Sequence, residues 1–422
     1  MLWTHRDHPG RCVRLAYCLN VHAAETLREL QAGLASITLP LRDRLARADE
    51  HFGVGLYLSG ALVRELPAGS RGIRELAEFL ARERLDAFTF NAFPFGGFAA
   101  DGLKERVFEP TWARPERLEY TREVARLAAE LDPSRGPTRH VSISTHTGGF
   151  GAAFAHRERE YWAGLGAVAN ELDLLEQATG TRFVLSLEAE PGANAGDTSA
   201  LARFFRRWSE ELLDDEHGLG RELTRRVFER CIGVCLDACH SAVEFESPPL
   251  VLELVRRAGV LGKLQYTSAL ALPAPARDPR AVARLLALDE PRYLHQVRGR
   301  LGARTLGARD LAELGRALRE PESAREWLDC EEWRCHFHVP VDRAEFGPGL
   351  ATTRAHAEEL LGLLLADPAR WDTPELHVEI ETYTWDVLPG SSRASGALVD
   401  GLEREYRHVM GELEAAGWTR PG

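Results

Sequence analysis

The sequence predicts an α/β fold, a TIM (β/α)8 barrel, on three observations. Short β-branched or aromatic runs alternate with longer amphipathic segments, which is the pattern of a parallel sheet with crossover helices. The alternation repeats about eight times, which favours closure into a barrel over an open sheet. Carboxylates and imidazoles collect where the apolar runs end, the face on which such barrels carry their chemistry. With 422 residues, 44% of them hydrophobic, one barrel spanning residues 1–422 has ample material for its core.

The strand candidates, in order, are 14–20 (RLAYCLN), 53–59 (GVGLYLS), 87–93 (AFTFNAF), 140–146 (HVSISTH), 182–188 (RFVLSLE), 231–237 (CIGVCLD) and 261–268 (LGKLQYTS), followed by 335–341 (CHFHVPV) and 375–382 (ELHVEIET). Helical segments rich in Arg, Glu, Ala and Leu lie at 117–131, 158–179, 200–229 and 396–416. That gives nine strands for eight places. The Arg-rich, helical stretch 279–334 interrupts the alternation and reads as an insertion before the last strand, taking CHFHVPV with it. In the competing arrangement, 53–59 is the peripheral strand.

Composition narrows the partners. Acidic residues outnumber basic ones, 64 to 52, for a formal net charge of -12. Binding to nucleic acid relies on cationic groups that displace counterions from phosphates, so a small-molecule substrate is expected and nucleic acid is not. No apolar run is long enough to span a membrane, and the start MLWTHRDHPGRC lacks the basic-then-apolar order of a secretory signal, so a cytoplasmic location is expected. The seven cysteines are scattered, and Cys231, Cys235 and Cys239 read as small hydrophobes rather than a zinc cluster. Only two lysines, Lys104 and Lys263, stand among the 52 basic residues. Lys263 shares a strand face with Gln265, one layer deeper. An ammonium buried there needs an anionic partner, with Glu188, Asp237 and Glu379 as candidates. The same residue offers a base that Arg cannot replace.

The strand ends carry Glu188 and Glu190 (LSLEAEPG), Asp237 and His240 (LDACH), Gln265 (KLQYTSAL), His336 and His338 (CHFHVPV), and Glu379 and Glu381 (LHVEIET). Alternating strand residues project to one face, so these side chains converge in the barrel mouth. Carboxylates, imidazoles and an amide oxygen together suit a divalent metal, Zn, Mn or Mg. A spare carboxylate, Glu190 or Glu379, would move a proton. In FTFNAFPFGGF, Asn91 offers a hydrogen bond and Phe93 an apolar wall. His22 ends the first strand, His336 faces the mouth, and Trp385 lies in the loop after the last strand; all three are substrate-contact candidates.

GVCLDACH resembles the D-x-C-H strand end of the xylose-isomerase-like and endonuclease-IV-like TIM barrels, FVLSLEAEP their preceding Glu strand, and LHVEIET their final Glu strand. The resemblance implies metal ligation by Glu188, Asp237, His240 and Glu381 or Glu379, with Gln265 standing where many relatives have His. STHTGG resembles the superfamily's H-P-G element and adds His146 to the substrate candidates. His338 completes the expected ligand set.

More narrowly, the chain resembles the metabolite traffic protein EboE family, in segments from YCLNVHAAE to HVEIETYTWDVLP that run from residue 17 to 389. That resemblance implies a role in making or exporting a secondary-metabolite precursor, beside other products of one operon. The expected activity is isomerisation or epimerisation of a sugar- or cyclitol-like polyol. Its rivals are an endonuclease-IV-like phosphodiesterase and a non-catalytic metabolite-binding or trafficking component.

Overall fold

The computed structural model describes residues 1–98, 100–131, 136, 139–151, 156–211, 221–388 and 395–421. Part of the helical segment expected at 200–229 lies outside them.

Eight parallel strands close into a barrel in sequence order. They are β2 (Cys12–Cys18), β3 (Phe52–Tyr57), β4 (Leu85–Asn91), β5 (His140–His146), β6 (Arg182–Glu188), β7 (Ile232–Asp237), β8 (Val260–Tyr266) and β14 (Glu375–Ile380). β14 closes the ring by pairing with β8 on one side and with β2 on the other, in register from Glu375↔Cys12 to Ile380↔Tyr17. β1 (Leu2–His5) and β15 (Trp418–Thr419) extend the sheet antiparallel beside β2. The segment 53–59 therefore supplies a barrel strand, and CHFHVPV is the strand outside it.

Between β8 and β14 the chain builds a second sheet. β9 (Ser268–Pro273) follows β8 after the single residue Thr267. With β10 (Val297–Leu301), β11 (Arg304–Ala308), β12 (Glu332–Val339) and β13 (Ala351–Thr352) it forms an antiparallel sheet in the order β11-β10-β12-β9-β13. The stretch that reads as helical holds the helices Pro279–Leu286, Leu311–Ala317 and Pro321–Leu328, and also the hairpin β10–β11. VRGRL and RTLGA carry too many Arg and Gly residues to read as strands. This excursion has its own apolar cluster around Leu270, Leu272, Trp327, Trp333 and Phe337, separate from the barrel's. No described helix is long and apolar enough to cross a membrane.

Outward-facing strand residues such as Val141, Ile143, Leu185, Leu187, Val234 and Leu264 pack in the barrel's main apolar cluster. The inward face is polar. Ser142 bonds Thr89 (2.8 Å) and the His377 ring (2.9 Å), and His140 stacks on His377 at 3.8 Å. Arg14 pairs with Asp86 and Glu375, both at 2.6 Å. One layer higher, Lys263 Nζ lies 2.5 Å from Glu379 Oε2, and neither side chain has any solvent exposure. Gly55 makes room for this pair, since a Cβ there would collide with the Glu379 carboxylate. Lys263 is thus buried and paired, as its place on the strand requires. Burial opposes its charge, but Glu379 and its other anionic neighbours outweigh this and raise its pKa. It stands in the barrel axis as a buried cation paired with Glu379.

Lys263→Met leaves the Glu379 carboxylate buried without its counter-ion and should cost about 3–5 kcal/mol of stability. The double variant Lys263→Met/Glu379→Gln should recover most of that loss. Denaturant unfolding of the two variants measures both effects.

Candidate metal and substrate site

The barrel mouth opens into a pocket of about 510 Å³, part of it continuous with solvent. Its floor carries Glu188, Glu190, His240, Glu381, Asn20 and Asn91; the excursion adds His336 and His338; Phe93, Phe98, Tyr293 and Tyr383 form aromatic walls.

Each floor residue has a local reason for its position. Asp237 ends β7 and caps the helix Ala238–Val243, its Oδ1 accepting the His240 N–H at 2.8 Å. That cap starts the helix turn that brings the His240 ring back over the mouth. Oδ2 of Asp237 is buried and has no hydrogen-bond partner. Glu381, just past β14, is held by amides. Asn20 and Asn91 donate to its Oε1 at 2.8 and 2.9 Å, and Gln265 donates to its Oε2. Asn91 is itself fixed, because its Oδ1 accepts the Phe93 N–H at 3.0 Å.

His336 and His338 reach the mouth through an irregularity in β12. Cys335 pairs with Leu270 and Val339 with Ser268, so β12 carries two extra residues between these pairs. Phe337 turns into the excursion's core and stacks on His295 at 3.6 Å. The two histidines turn the other way. His240 Nε2 lies 3.1 Å from His336 Nε2 and 3.3 Å from His338 Nε2. His338 Nε2 is 4.0 Å from the unpartnered Asp237 Oδ2. Glu190 is anchored by Gln296 (2.9 Å) and lies 3.5 Å from His336 and 3.7 Å from His240.

These groups share a dry environment, and their acidities follow from it. Burial, then Glu381, Asp237 and Glu190, drives the Glu188 carboxyl well above its usual range. Burial, then Glu379 and Asp237, does the same to Glu381. Glu190 is pushed up to about 8, chiefly by burial. Burial lowers His240 to about 3 and His338 to about 4, and holds His336 well below the usual imidazole range. The floor thus gathers acids and neutral imidazoles. The orphaned Asp237 oxygen and the converging ring nitrogens fit a divalent cation, which would repay the burial of these carboxylates. Asp237, His240 and His338 bring one donor atom each within 4.8 Å of one another, as do Glu190, His240 and His336.

Of the residues singled out in the sequence, the pocket gathers Glu188, Glu190, His240, His336, His338, Glu381, Asn91 and Phe93, with Asp237 directly behind His338. Gln265 sits behind Glu381, with the Cys235 thiol against its oxygen and its amide donating to Glu381. Glu379 and Lys263 are sealed one layer below. His22 lies outside the barrel, 3.0 Å from the Tyr17 hydroxyl. His146 is enclosed by Phe93 (5.2 Å), Phe108 (5.5 Å) and Trp112 (6.5 Å). Trp385 packs on Gly401 of the C-terminal helix, away from the pocket. Its expected place is taken by Tyr383, whose ring lies 4.5 Å from His338. Tyr383, Tyr293 and Gln296 escaped the sequence reading. The last two lie in the stretch read as helical insertion, where only the short run YLHQV marks them.

No family model matches the sequence, and no curated protein matches it. The chain is similar to several solved structures. An L-ribulose 3-epimerase is 13% identical, over 96% of this chain and 95% of that one, with a TM-score of 0.47. The IolI protein with a bound zinc atom is 10% identical, over 95% and 99%, with a TM-score of 0.44. A family 2 AP endonuclease from Brucella melitensis is 16% identical, over 60% and 78%, with a TM-score of 0.33. At such identities and TM-scores these likenesses decide nothing about activity. The resemblance to the EboE family rests on the sequence motifs alone.

Glu190 gives the metal-free protein a distinctive pH dependence. Its folded pKa of about 8 lies above the unfolded value, so its contribution is fully present below about pH 4.3 and is lost as pH rises through 8. Unfolding free energy should fall across this window by up to about 1.4 kcal/mol per pH unit for this one proton. Glu190→Gln should flatten that fall, as measured by denaturant titrations at a series of pH values.

Proposed function

We propose that the chain is a metal-dependent isomerase or epimerase acting on a small sugar- or cyclitol-like polyol. The observation that carries the reading is a buried carboxyl, Glu190, that lies 3.5 Å from the His336 ring and 3.7 Å from the His240 ring in an aromatic-walled pocket, with burial raising its pKa. A general base works best when its pKa lies near the working pH. Glu190 is also held in one orientation by the Gln296 amide, which fixes where it takes up a proton.

In this reading, the metal supplies Lewis-acid polarisation of a carbonyl or of adjacent hydroxyls. The residues do the rest. Glu190 removes a proton from the carbon next to the carbonyl. For isomerisation it returns that proton to the neighbouring carbon on the same face, as the hydroxyl proton passes between the two oxygens. For epimerisation a second acid must protonate the opposite face, and the Glu188 carboxyl in the pocket lining is the candidate. Glu381, fixed by Asn20, Asn91 and Gln265, accepts a hydrogen bond from a substrate hydroxyl. Phe93, Phe98, Tyr293 and Tyr383 cover the apolar face of the substrate and exclude water. The resemblance to the EboE family extends the reading to a secondary-metabolite precursor and to partners from the same operon, in the cytoplasm.

The test is proton exchange. Incubated in D2O with a panel of ketoses and inosose-type cyclitols, the metal-loaded protein should wash deuterium into the carbon beside the carbonyl of one of them. Glu190→Gln should slow this by about 10²–10⁴-fold. Absence of exchange across the panel, with metal bound, would remove the isomerase reading.

A further inference from the structure

The three pocket imidazoles are each held in one tautomer by a group that can only accept. His240 Nδ1 lies 3.0 Å from the Ala189 carbonyl oxygen, with Glu188 Oε1 behind it at 3.3 Å. His338 Nδ1 lies 2.8 Å from the Glu381 carbonyl oxygen. His336 Nδ1 lies 2.5 Å from Gln296 Oε1. The Gln296 amide is fixed in turn, since its nitrogen donates to the Pro191 carbonyl and to Glu190, both at 2.9 Å. In all three rings Nδ1 therefore carries the hydrogen and Nε2 the lone pair, with the Tyr383 hydroxyl 3.5 Å from Nε2 of His336.

The Nε2 atom of His240 lies 3.1 Å from Nε2 of His336 and 3.3 Å from Nε2 of His338, and so stands between the two donor groups Asp237–His240–His338 and Glu190–His240–His336. Neutral rings in these tautomers have no proton to share between Nε2 atoms, so a cation is what makes the arrangement favourable. An Nδ1–H donated to a carbonyl or carboxylate is also how metal-bound histidines are commonly oriented.

We infer that the metal is bound by Nε2 of His240, His336 and His338, with the orphaned Oδ2 of Asp237 as the anionic fourth donor. The inference rests on the metal dependence proposed above and departs from the ligand set implied by the sequence resemblance. Glu188 supports the His240 ring from behind. Glu381 accepts three amide hydrogen bonds and stands beside the metal position. β12 thus supplies the imidazoles that the barrel lacks at Gln265, and the metal ties the excursion to the barrel. A set of three imidazoles and one carboxylate favours Zn(II), or Co(II) in its place, over Mg(II).

Chelator-stripped full-length protein, reloaded with Zn(II) or Co(II), tests the assignment without any substrate. One metal per chain is expected, with the d–d absorption of four-coordinate Co(II). His336→Gln and His338→Gln should each weaken Zn(II) binding by about 100-fold or more and abolish that absorption. Glu381→Gln should change Zn(II) affinity by less than about tenfold. If the histidine variants do not fold, X-ray absorption of the Zn(II)-loaded wild type decides, with three imidazoles expected at about 2.0–2.1 Å. Unchanged affinity and absorption in both histidine variants, or fewer than two imidazoles in the absorption data, would overturn the inference. A failed exchange assay with an intact imidazole-bound metal would refute the proposed activity and leave this assignment standing.

Discussion

The constraint on which this structure turns is the burial of ionisable groups along the axis of a barrel. Most residues that face inward are polar, from the Arg14–Asp86–Glu375 cluster at the bottom to Glu188, Asp237 and Glu381 at the mouth. A buried charge is tolerated only when another group answers it. At the bottom the answer is arginine, and in the middle layer it is Lys263. At Glu381 it is a ring of amides. At Asp237 the His240 N–H answers Oδ1, while Oδ2 has no hydrogen-bond partner among the described residues, and that is where a cation fits. Gly55, the tight Asp237 cap and the irregular β12 all serve to fit these groups together.

Much of this was legible in the sequence because strand periodicity fixes facing. The alternation of EIE in LHVEIET and of HFH in CHFHVPV placed four of the mouth and axis residues on the correct side without any contact information. Strand register gave the depth of Lys263, one layer below Gln265, where it pairs with Glu379. Register also separates Glu379 from Glu381, but only once the pairing with Lys263 and Gln265 is known. Loops were less legible. His22 and Trp385 stand in the short turns after β2 and β14, where no periodicity gives a direction, and their rings pack locally; His146 ends β5 itself and is enclosed there by Phe93, Phe108 and Trp112. The hairpin β10–β11 was hidden by its Arg and Gly content, and with it the origin of Gln296 and Tyr293.

The excursion gives the mouth a different character from what the barrel alone would supply. Strands β2–β8 and β14 contribute carboxylates and amides; β12 contributes nitrogen donors from a separate apolar core. A site shared by two cores is sensitive to how they sit together, so metal, pocket shape and the seam between β9, β12 and the helix Ala238–Val243 are linked. The aromatic walls come from both sides as well. Phe98 belongs to the loop after β4, Tyr293 to the excursion and Tyr383 to the loop after β14, with neighbouring ring centroids 5.0–5.4 Å apart. A ligand held there would contact parts of the chain far apart in sequence.

The most direct measurement of this account is an anomalous-scattering map from crystals of the zinc-loaded protein, collected across the zinc absorption edge. The account predicts one strong peak in the mouth, about 2.0–2.1 Å from Nε2 of His240, His336 and His338. A peak seated instead against Gln265 and the Glu188 and Glu381 carboxylates, with the three imidazoles turned away, would contradict it.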